Sequence, residues 1–320
     1  MKKLSEKDRK LMKCLDENAR MPITQIAKKI RLSVSNTNYR LQHLRDHAII
    51  TEFYLLINPF AFTGRYDRII LKLRNDYPRE ELIAYCRSNP RIGWFFEADG
   101  DWNFAFQVWS TTITQTQQVL HDFLSAFSEY IREYVISSVV SIKKYEHHFI
   151  YRQQTTCTAI IETPTIALDA LDRKIISLLF RNARMTLLEV GAALKADYKT
   201  IAYRLKNLEK KGVIIGYKTQ INRFTLGYDY YKIILRFGSF TKKDITRLKE
   251  YLLSDPRVLF ITEALGWADL EFEFFGETQD DYRKFQETLK KQFAKVIKEY
   301  DVIIPKNFEW NHIIPTTAKD

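Results

Sequence analysis

A chain of 320 residues, 46% hydrophobic and 14% aromatic, holds enough apolar material for several buried cores, which excludes disorder as its general state. No stretch approaches the roughly 20 predominantly apolar residues of a membrane span, and the first ten residues lack the apolar centre of a signal peptide, so no membrane partner and a cytoplasmic setting are expected. The formal charge of +11 is concentrated: residues 1–50 hold 12 basic against 5 acidic side chains, residues 168–218 hold 11 against 5, and the remainder is slightly acidic. Cys14, Cys86 and Cys157 stand far apart, which fits neither a disulfide framework nor a metal-ligand spacing.

In chain order, Ser5 and Asp8 make a capping-box start to a first helix, with Leu11, Met12 and Leu15 at helical spacing. A second helix is predicted over 22–30, because proline suits a first helical turn and Ile23, Ile26, Ala27 and Ile30 share a face. After a turn of two or three residues, Ser33 caps a third helix with Val34, Thr37, Leu41 and Leu44 directed inward. Three short helices with a tight turn before the last are the helix-turn-helix plan, in which the third helix enters the major groove. Its outward face carries Ser35, Asn36, Tyr39, Arg40 and His43, groups that bond phosphates and base edges, with arginine able to fork onto guanine and asparagine onto adenine. Lys28 and Lys29 are expected among the phosphate contacts. A three-helix scaffold needs no such concentration of positive charge, whereas phosphate neutralisation does.

A β-rich segment at 49–57 leads into strand 68–73, helix 79–88, strand 92–97, strand 102–109, helix 114–127 and strand 135–142. The order βαββαβ is the ferredoxin-like plan, an α+β sheet with helices on one face. Strand aromatics, among them Trp94, Phe95, Phe96, Phe104 and Phe106, imply that a second sheet covers the other face, so association through these sheets, within or between chains, is expected. Residues 153–167, threonine-rich with Pro164, read as a linker.

The second half repeats the first. At an offset of 164, Asn18-Ala19-Arg20-Met21 recurs as Asn182-Ala183-Arg184-Met185 and Tyr39-Arg40-Leu41 as Tyr203-Arg204-Leu205; at 166, Glu97-Ala98 recurs as Glu263-Ala264. Asp169 and Asp172 open the first helix of this copy, 186–194 makes the second, and Asp197 caps the third. Tyr198, Ile201, Leu205 and Leu208 are predicted inward, and Lys199, Thr200, Tyr203, Arg204 and Asn207 outward, with Lys206 and Lys210 on phosphates. Strands at 213–221, 231–237, 258–263 and 270–275, helices at 242–253 and 279–293, and a last strand in two pieces, 302–304 and 308–314, complete the copy. The predicted domains are helix-turn-helix units at 1–50 and 168–215, ferredoxin-like units at 51–152 and 216–320, and the linker at 153–167. Because the outward faces differ, the two DNA half-sites are expected to differ.

A capped helix-turn-helix, a β connection and a βαββαβ domain with a Gly-x-x-Asp turn, present in tandem, resemble the leucine-responsive regulatory protein/AsnC (feast/famine) family over nearly the whole chain. The resemblance implies a sequence-specific transcription regulator that binds double-stranded DNA and senses an amino acid or another small effector. Gly266-Trp267-Ala268-Asp269 matches the turn near which the family binds its effector between subunits, so Gly266, Trp267 and Asp269 are the implied effector residues. The first copy has Gly100-Asp101-Trp102-Asn103; Gly100 and Asn103 occupy the matching positions, with Asn103 replacing the acid. The same turn also suits a tight hairpin that needs glycine at positive φ. Family members usually carry one unit and pair, and a tandem chain would imitate that pair within one polypeptide.

No phosphate loop, nucleophile elbow or zinc-protease signature is present, so no catalytic residue, metal or cofactor is expected. His43 and His47 have Asn207 and Lys211 as counterparts and no further ligand nearby; His147 and His148 read as structural strand residues facing opposite ways. The rival of another class is the sirohaem decarboxylases, which share this two-part architecture. Their kind of site would want His and Arg within the sheet: Arg68, Arg91 and Arg257 are available, but 102–109 and 270–275 contain no histidine. A metabolite-binding module without DNA binding is a third reading, separated from the first by the effect of Arg40 and Arg204 on DNA affinity.

Overall fold

A computed structural model describes residues 4–151 and 157–314. The reciprocal capping box of Ser5 and Asp8 starts α1 (Glu6–Glu17), and Pro22 caps α2 (Ile23–Ile30). Arg31, left-handed at φ 55°, turns the chain into α3 (Val34–Asp46), where the Ser33 side chain accepts from the Asn36 amide. Then follow β1 (Ile50–Ile57), α4 (Phe60–Thr63), β2 (Asp67–Leu73), α5 (Arg79–Ser88), β3 (Ile92–Asp99), β4 (Phe104–Val108), α6 (Ile113–Phe127), β5 (Ile131–Tyr145) and α7 (His148–Tyr151). Within the stretch read as a linker, β6 (Cys157–Ile161) pairs with the end of β5; residues 153–156 of that stretch lie outside the described residues. The second copy comprises α8 (Ala170–Arg181), α9 (Leu187–Leu194), α10 (Tyr198–Lys210), β7 (Ile214–Ile221), β8 (Asp229–Phe237), α11 (Lys242–Ser254), β9 (Val258–Gly266), β10 (Leu270–Gly276), α12 (Gln279–Gln292) and β11 (Ile297–Trp310). Among the described residues no helix is long and apolar enough to cross a membrane.

Each ferredoxin-like unit has its own four strands, in the orders β5-β2-β4-β3 and β11-β8-β10-β9. The last strand of each is long, 15 residues in β5 and 14 in β11, and its second half leaves its own sheet. Residues 137–144 pair with β9 of the other copy, and residues 304–310 pair with β3. Eight strands thereby close into a ring of two facing sheets, which pairs the strands that would otherwise be edges. Ile70, Trp94, Phe96, Ile234, Trp267 and Ile303 fill the space between the sheets. The strand aromatics divide by alternation: Phe95, Phe104 and Phe106 lie with residues of α5 and α6, and Phe272 and Phe274 with residues of α11 and α12, so only part of the aromatic set faces the second sheet.

Two other expectations change. The last strand is continuous, and the break in its alternation is a register shift between Lys306 and Glu309, with Asn307 at φ 46°. His147 and His148 are not strand neighbours, because β5 ends at Tyr145 and His148 begins α7.

Candidate nucleic-acid interface

The third helices present most of the predicted face. Ser35 and Asn36 are exposed and Tyr39 is 71% exposed; Lys199 and Thr200 are exposed and Tyr203 is 70% exposed. Lys28, Lys29, Lys206 and Lys210 are exposed as well. Val34 and Tyr198 do not turn inward as expected: they are 43% and 48% exposed, because each is the first helical residue, ahead of the turn that packs on the core. Thr37, Leu44, Ile201 and Leu208 are buried. The His43 and His47 rings lie 4.1 Å apart, tilted by 35°, and the His47 Nδ1 lies 2.8 Å from the His43 carbonyl, a surface pair.

Arg40 and Arg204 have protein partners. Arg40 Nη1 donates to Asp8 Oδ1 at 2.8 Å and to Ser5 Oγ at 3.1 Å, and its Nε donates to Asn36 Oδ1 at 3.1 Å. In the second copy Arg204 Nη1 bonds Asp169 and reaches Asp172 Oδ1 at 3.3 Å. Burial would raise the Asp8 carboxyl, but Ser5 and Arg40 hold it below its ordinary range. In both copies, therefore, an arginine ties the reading helix to the capped start of the first helix.

The repeated tetrapeptide joins the two heads. Arg20 Nη1 donates to the carbonyls of Ala183 and Met185 at 2.7 and 2.8 Å, and Arg184 Nη1 donates to those of Ala19 and Met21. Arg20 stands over the Tyr217 ring and Arg184 over the Phe53 ring, both at 5.3 Å. The Ala19 amide donates to the Tyr217 carbonyl, and the Ala183 amide to that of Phe53, both across copies. Beneath this lock β1 and β7 pair antiparallel from Ile50↔Ile221 to Ile57↔Ile214. Each head therefore rests on the other copy's strand, which fixes one reading helix relative to the other.

The two Gly-x-x-Asp-like turns have a structural role in both copies. Asp269 Oδ2 accepts from the Phe237 amide at 2.7 Å; Asn103 Oδ1 accepts from the Leu73 amide at 2.8 Å, and its Nδ2 donates to the Leu73 carbonyl at 3.1 Å. Acid and amide thus close the same strand end. Gly100 has φ 110° and Gly266 φ 100°, and a Cβ on Gly266 would sit 2.3 Å from the Ile136 carbonyl oxygen. Trp102 and Trp267 bring the turns together at 5.2 Å, and among the described residues the buried Trp267 indole Nε1 has no hydrogen-bond partner.

Buried charge is distributed unequally between the copies. Between the sheets, Arg68 Nη1 donates to Glu271 Oε2 at 2.8 Å and Nη2 to Ser137 Oγ at 2.7 Å, while Lys232 reaches Glu271 at 2.8 Å. Burial would raise the Glu271 carboxyl, but Arg68 and Lys232 hold it at about 2. Under the first head His147 Nδ1 lies 2.8 Å from Asp16 Oδ2, which also accepts from the Tyr151 hydroxyl at 3.0 Å. Burial pushes the His147 imidazole down to about 4, against the pull of Asp16. The counterparts under the second head, Phe180 and Trp310, meet edge to face at 5.3 Å. Of the arginines that a decarboxylase-like site would use, Arg68 is tied to Glu271 and Arg257 to Asp255.

The winged helix-turn-helix DNA-binding family matches residues 4–50 and 168–215. An uncharacterized HTH-type transcriptional regulator of Pyrococcus abyssi is 30% identical over 118 residues, 37% of this chain and 79% of that protein. Another, from Pyrococcus furiosus, is 33% identical over 157 residues, 48% of this chain and 89% of its own length. The solved structure of that Pyrococcus furiosus protein, described as a member of the AsnC family, is 28% identical and covers 43% of this chain and 89% of its own, with a TM-score of 0.37. Over the whole chain the fold is similar to the siroheme decarboxylase NirDL, with a TM-score of 0.66 at 14% identity, covering 98% of this chain and 95% of that one. Two matched heads, a relative covered over most of its length and a fold in which two units pair establish that the chain belongs to the leucine-responsive/AsnC family of DNA-binding, HTH-type transcription regulators, as a tandem member.

Proposed function

We propose that this regulator binds an asymmetric operator as one polypeptide, without catalysis of its own. Ser35, Asn36 and Tyr39 read one half-site, and Lys199, Thr200 and Tyr203 read the other. Arg40 and Arg204 set the angle of the reading helices. The observation that carries this reading is the locking of two unlike recognition helices to each other within one chain. Selection from a random duplex pool should return a site with unlike halves about one helical turn apart. N36A/Y39A should relax preference in one half and K199A/T200A in the other; a palindromic site, or variants that leave both halves unchanged, would overturn it.

At the meeting of the two turns we infer a small effector with a hydrogen-bond acceptor for the Trp267 indole, within reach of Gly100, Asn103, Gly266 and Asp269. Support comes from that buried, unpartnered donor. Quenching of tryptophan fluorescence by members of an amino-acid panel, lost in Trp267→Phe, is the measurement. The fold shared with NirDL, which has been solved with an iron-uroporphyrin III analogue, supplies the second reading. Turnover of an added iron tetrapyrrole would favour it over the regulator-only reading.

A further inference from the structure

We infer that the end of the second ferredoxin-like unit remote from the heads is a second, sequence-independent surface for duplex DNA, so that one chain can hold two DNA segments. The inference rests on DNA binding by the heads. β8 starts beside the first head, where Tyr228, Tyr230 and Phe275 pack with that head's core, and ends at Phe237 roughly 26 Å away at 3.3 Å per residue. At this far end the start of α11 and the end of α12 lie side by side. The Arg247 guanidinium stands 5.8 Å from the centre of the Phe293 ring, and the Gly238 amide donates to the Val296 carbonyl at 2.8 Å. Lys242, Lys243 and Arg247 project from α11, all exposed. Lys290 and Lys291 project from the last turn of α12, and Lys295 and Lys298 from the segment that follows, all exposed.

Among the described residues none of these seven cations has a carboxylate within ion-pair distance. Asp244, on the same turn, is engaged with the Thr241 cap, and Glu250 and Glu287 stand one helical turn from Arg247 and Lys291 without pairing. The fold does not require this charge. At the same place in the first copy α5 opens with Arg79, Glu80 and Glu81, with Arg79 paired to Glu80 and Glu97, and α6 runs out through Ser125, Ser128 and Glu129. Asp244 feels Arg247 and Lys295, and Lys290 stands 4.4 Å over the Tyr300 ring, but one acid and one ring do not balance seven cations. The excess repels itself, and a closely spaced polyanion relieves that repulsion. Duplex DNA, with a charge every 1.7 Å or so, is the polyanion this chain already engages. Lysines on flexible stems act as point charges, so they suit phosphates and not base edges.

The test tethers the full chain to beads through an N-terminal tag, saturates it with operator duplex, and measures retention of a second, unrelated labelled duplex against salt. Operator affinity is measured separately by anisotropy, so a failure of the heads is distinguished from a failure of the far end. Retention should fall at least tenfold in K290E/K291E/K295E, with a salt slope shallower by about 2.7 for three lost phosphate contacts. Operator affinity should stay within about twofold and the melting temperature should hold. K242E/K243E, on the other helix, should give a similar loss, which guards against a local defect in α12. No retention by the wild-type chain, retention indifferent to both variants, or a marked preference for single-stranded RNA would each overturn the inference.

Discussion

Replacing Arg20 and Arg184 together should uncouple the two reading heads. Each guanidinium crosses from its own head to two carbonyls of the other and stands over an aromatic ring. A hydrogen bond from a charged donor is worth about 1.5–3 kcal/mol and an exposed cation–π contact about 0.5–1, so a single bond with the ring contact already gives each arginine roughly 2–4 kcal/mol. The β1–β7 pairing persists in the double variant and limits the loss. If about 2 kcal/mol of this serves to preset the heads, the R20A/R184A chain should bind its operator about 30-fold more weakly. Anisotropy titrations would compare the selected operator with one carrying about five extra base pairs between half-sites, roughly half a helical turn. The wild-type chain should lose two-headed binding on insertion, whereas R20A/R184A should bind the two duplexes more nearly alike. R20K/R184K should fall between, because an ammonium keeps the charge but lacks the planar fork. Equal operator affinity and an unchanged insertion penalty in all three proteins would refute the reasoning.

Three further outcomes concern the sheets and their charges. Arg68→Met leaves the buried Glu271 with Lys232 alone and should cost about 3–5 kcal/mol in urea unfolding, whereas R68M/K232M/E271M, which leaves no charge of the triad behind, should recover most of it. The pH dependence follows from two groups: Glu271 is held at about 2 below its ordinary 4.5, so its contribution is complete above about pH 4.5 and disappears as pH falls towards 2. His147, lowered from 6.5 to about 4 by burial, adds a rise in stability between about pH 4 and 6.5. Melting curves against pH should flatten in the lower window for Glu271→Gln and in the upper one for His147→Gln. Gly266→Ala places a methyl against the Ile136 carbonyl and should weaken the β5–β9 junction, read as faster amide exchange along 137–144.

The heads were legible because their signals are local: Ser5 with Asp8, Ser33 and Asp197 cap helices within three residues of themselves. The extent of β5 and β11 was not, since alternation in a strand says nothing about whether its second half pairs with its own sheet or with the other copy. The partners of Arg40 and Arg204 were not legible either, because an arginine on such a helix looks the same in sequence whether or not a cap carboxylate lies beside it. The internal repeat did hold a clue. Arg20, Tyr39 and Arg40 recur unchanged as Arg184, Tyr203 and Arg204, and the two arginine positions serve architecture common to both heads. Ser35 and Asn36 change to Lys199 and Thr200, as positions that address different bases would.

The buried triad also explains why the pair is made of one copy of each kind. Arg68 and Lys232 occupy matching positions of β2 and β8, yet both serve the one carboxylate of Glu271, whose own counterpart in the first copy is Ala105: Ala105 lies opposite Ile70, as Glu271 lies opposite Ile234. Two first copies joined by the same sheets would bury two arginines with no carboxylate between them, a penalty of several kcal/mol per charge. One first copy with one second copy satisfies the centre with a single acid. A symmetric dimer must repeat every buried charge, so it could not hold this arrangement; a tandem chain can. The same freedom allows Asp16 with His147 beneath one head and Phe180 with Trp310 beneath the other, so the two heads are seated through chemically different joints and need not answer to pH alike.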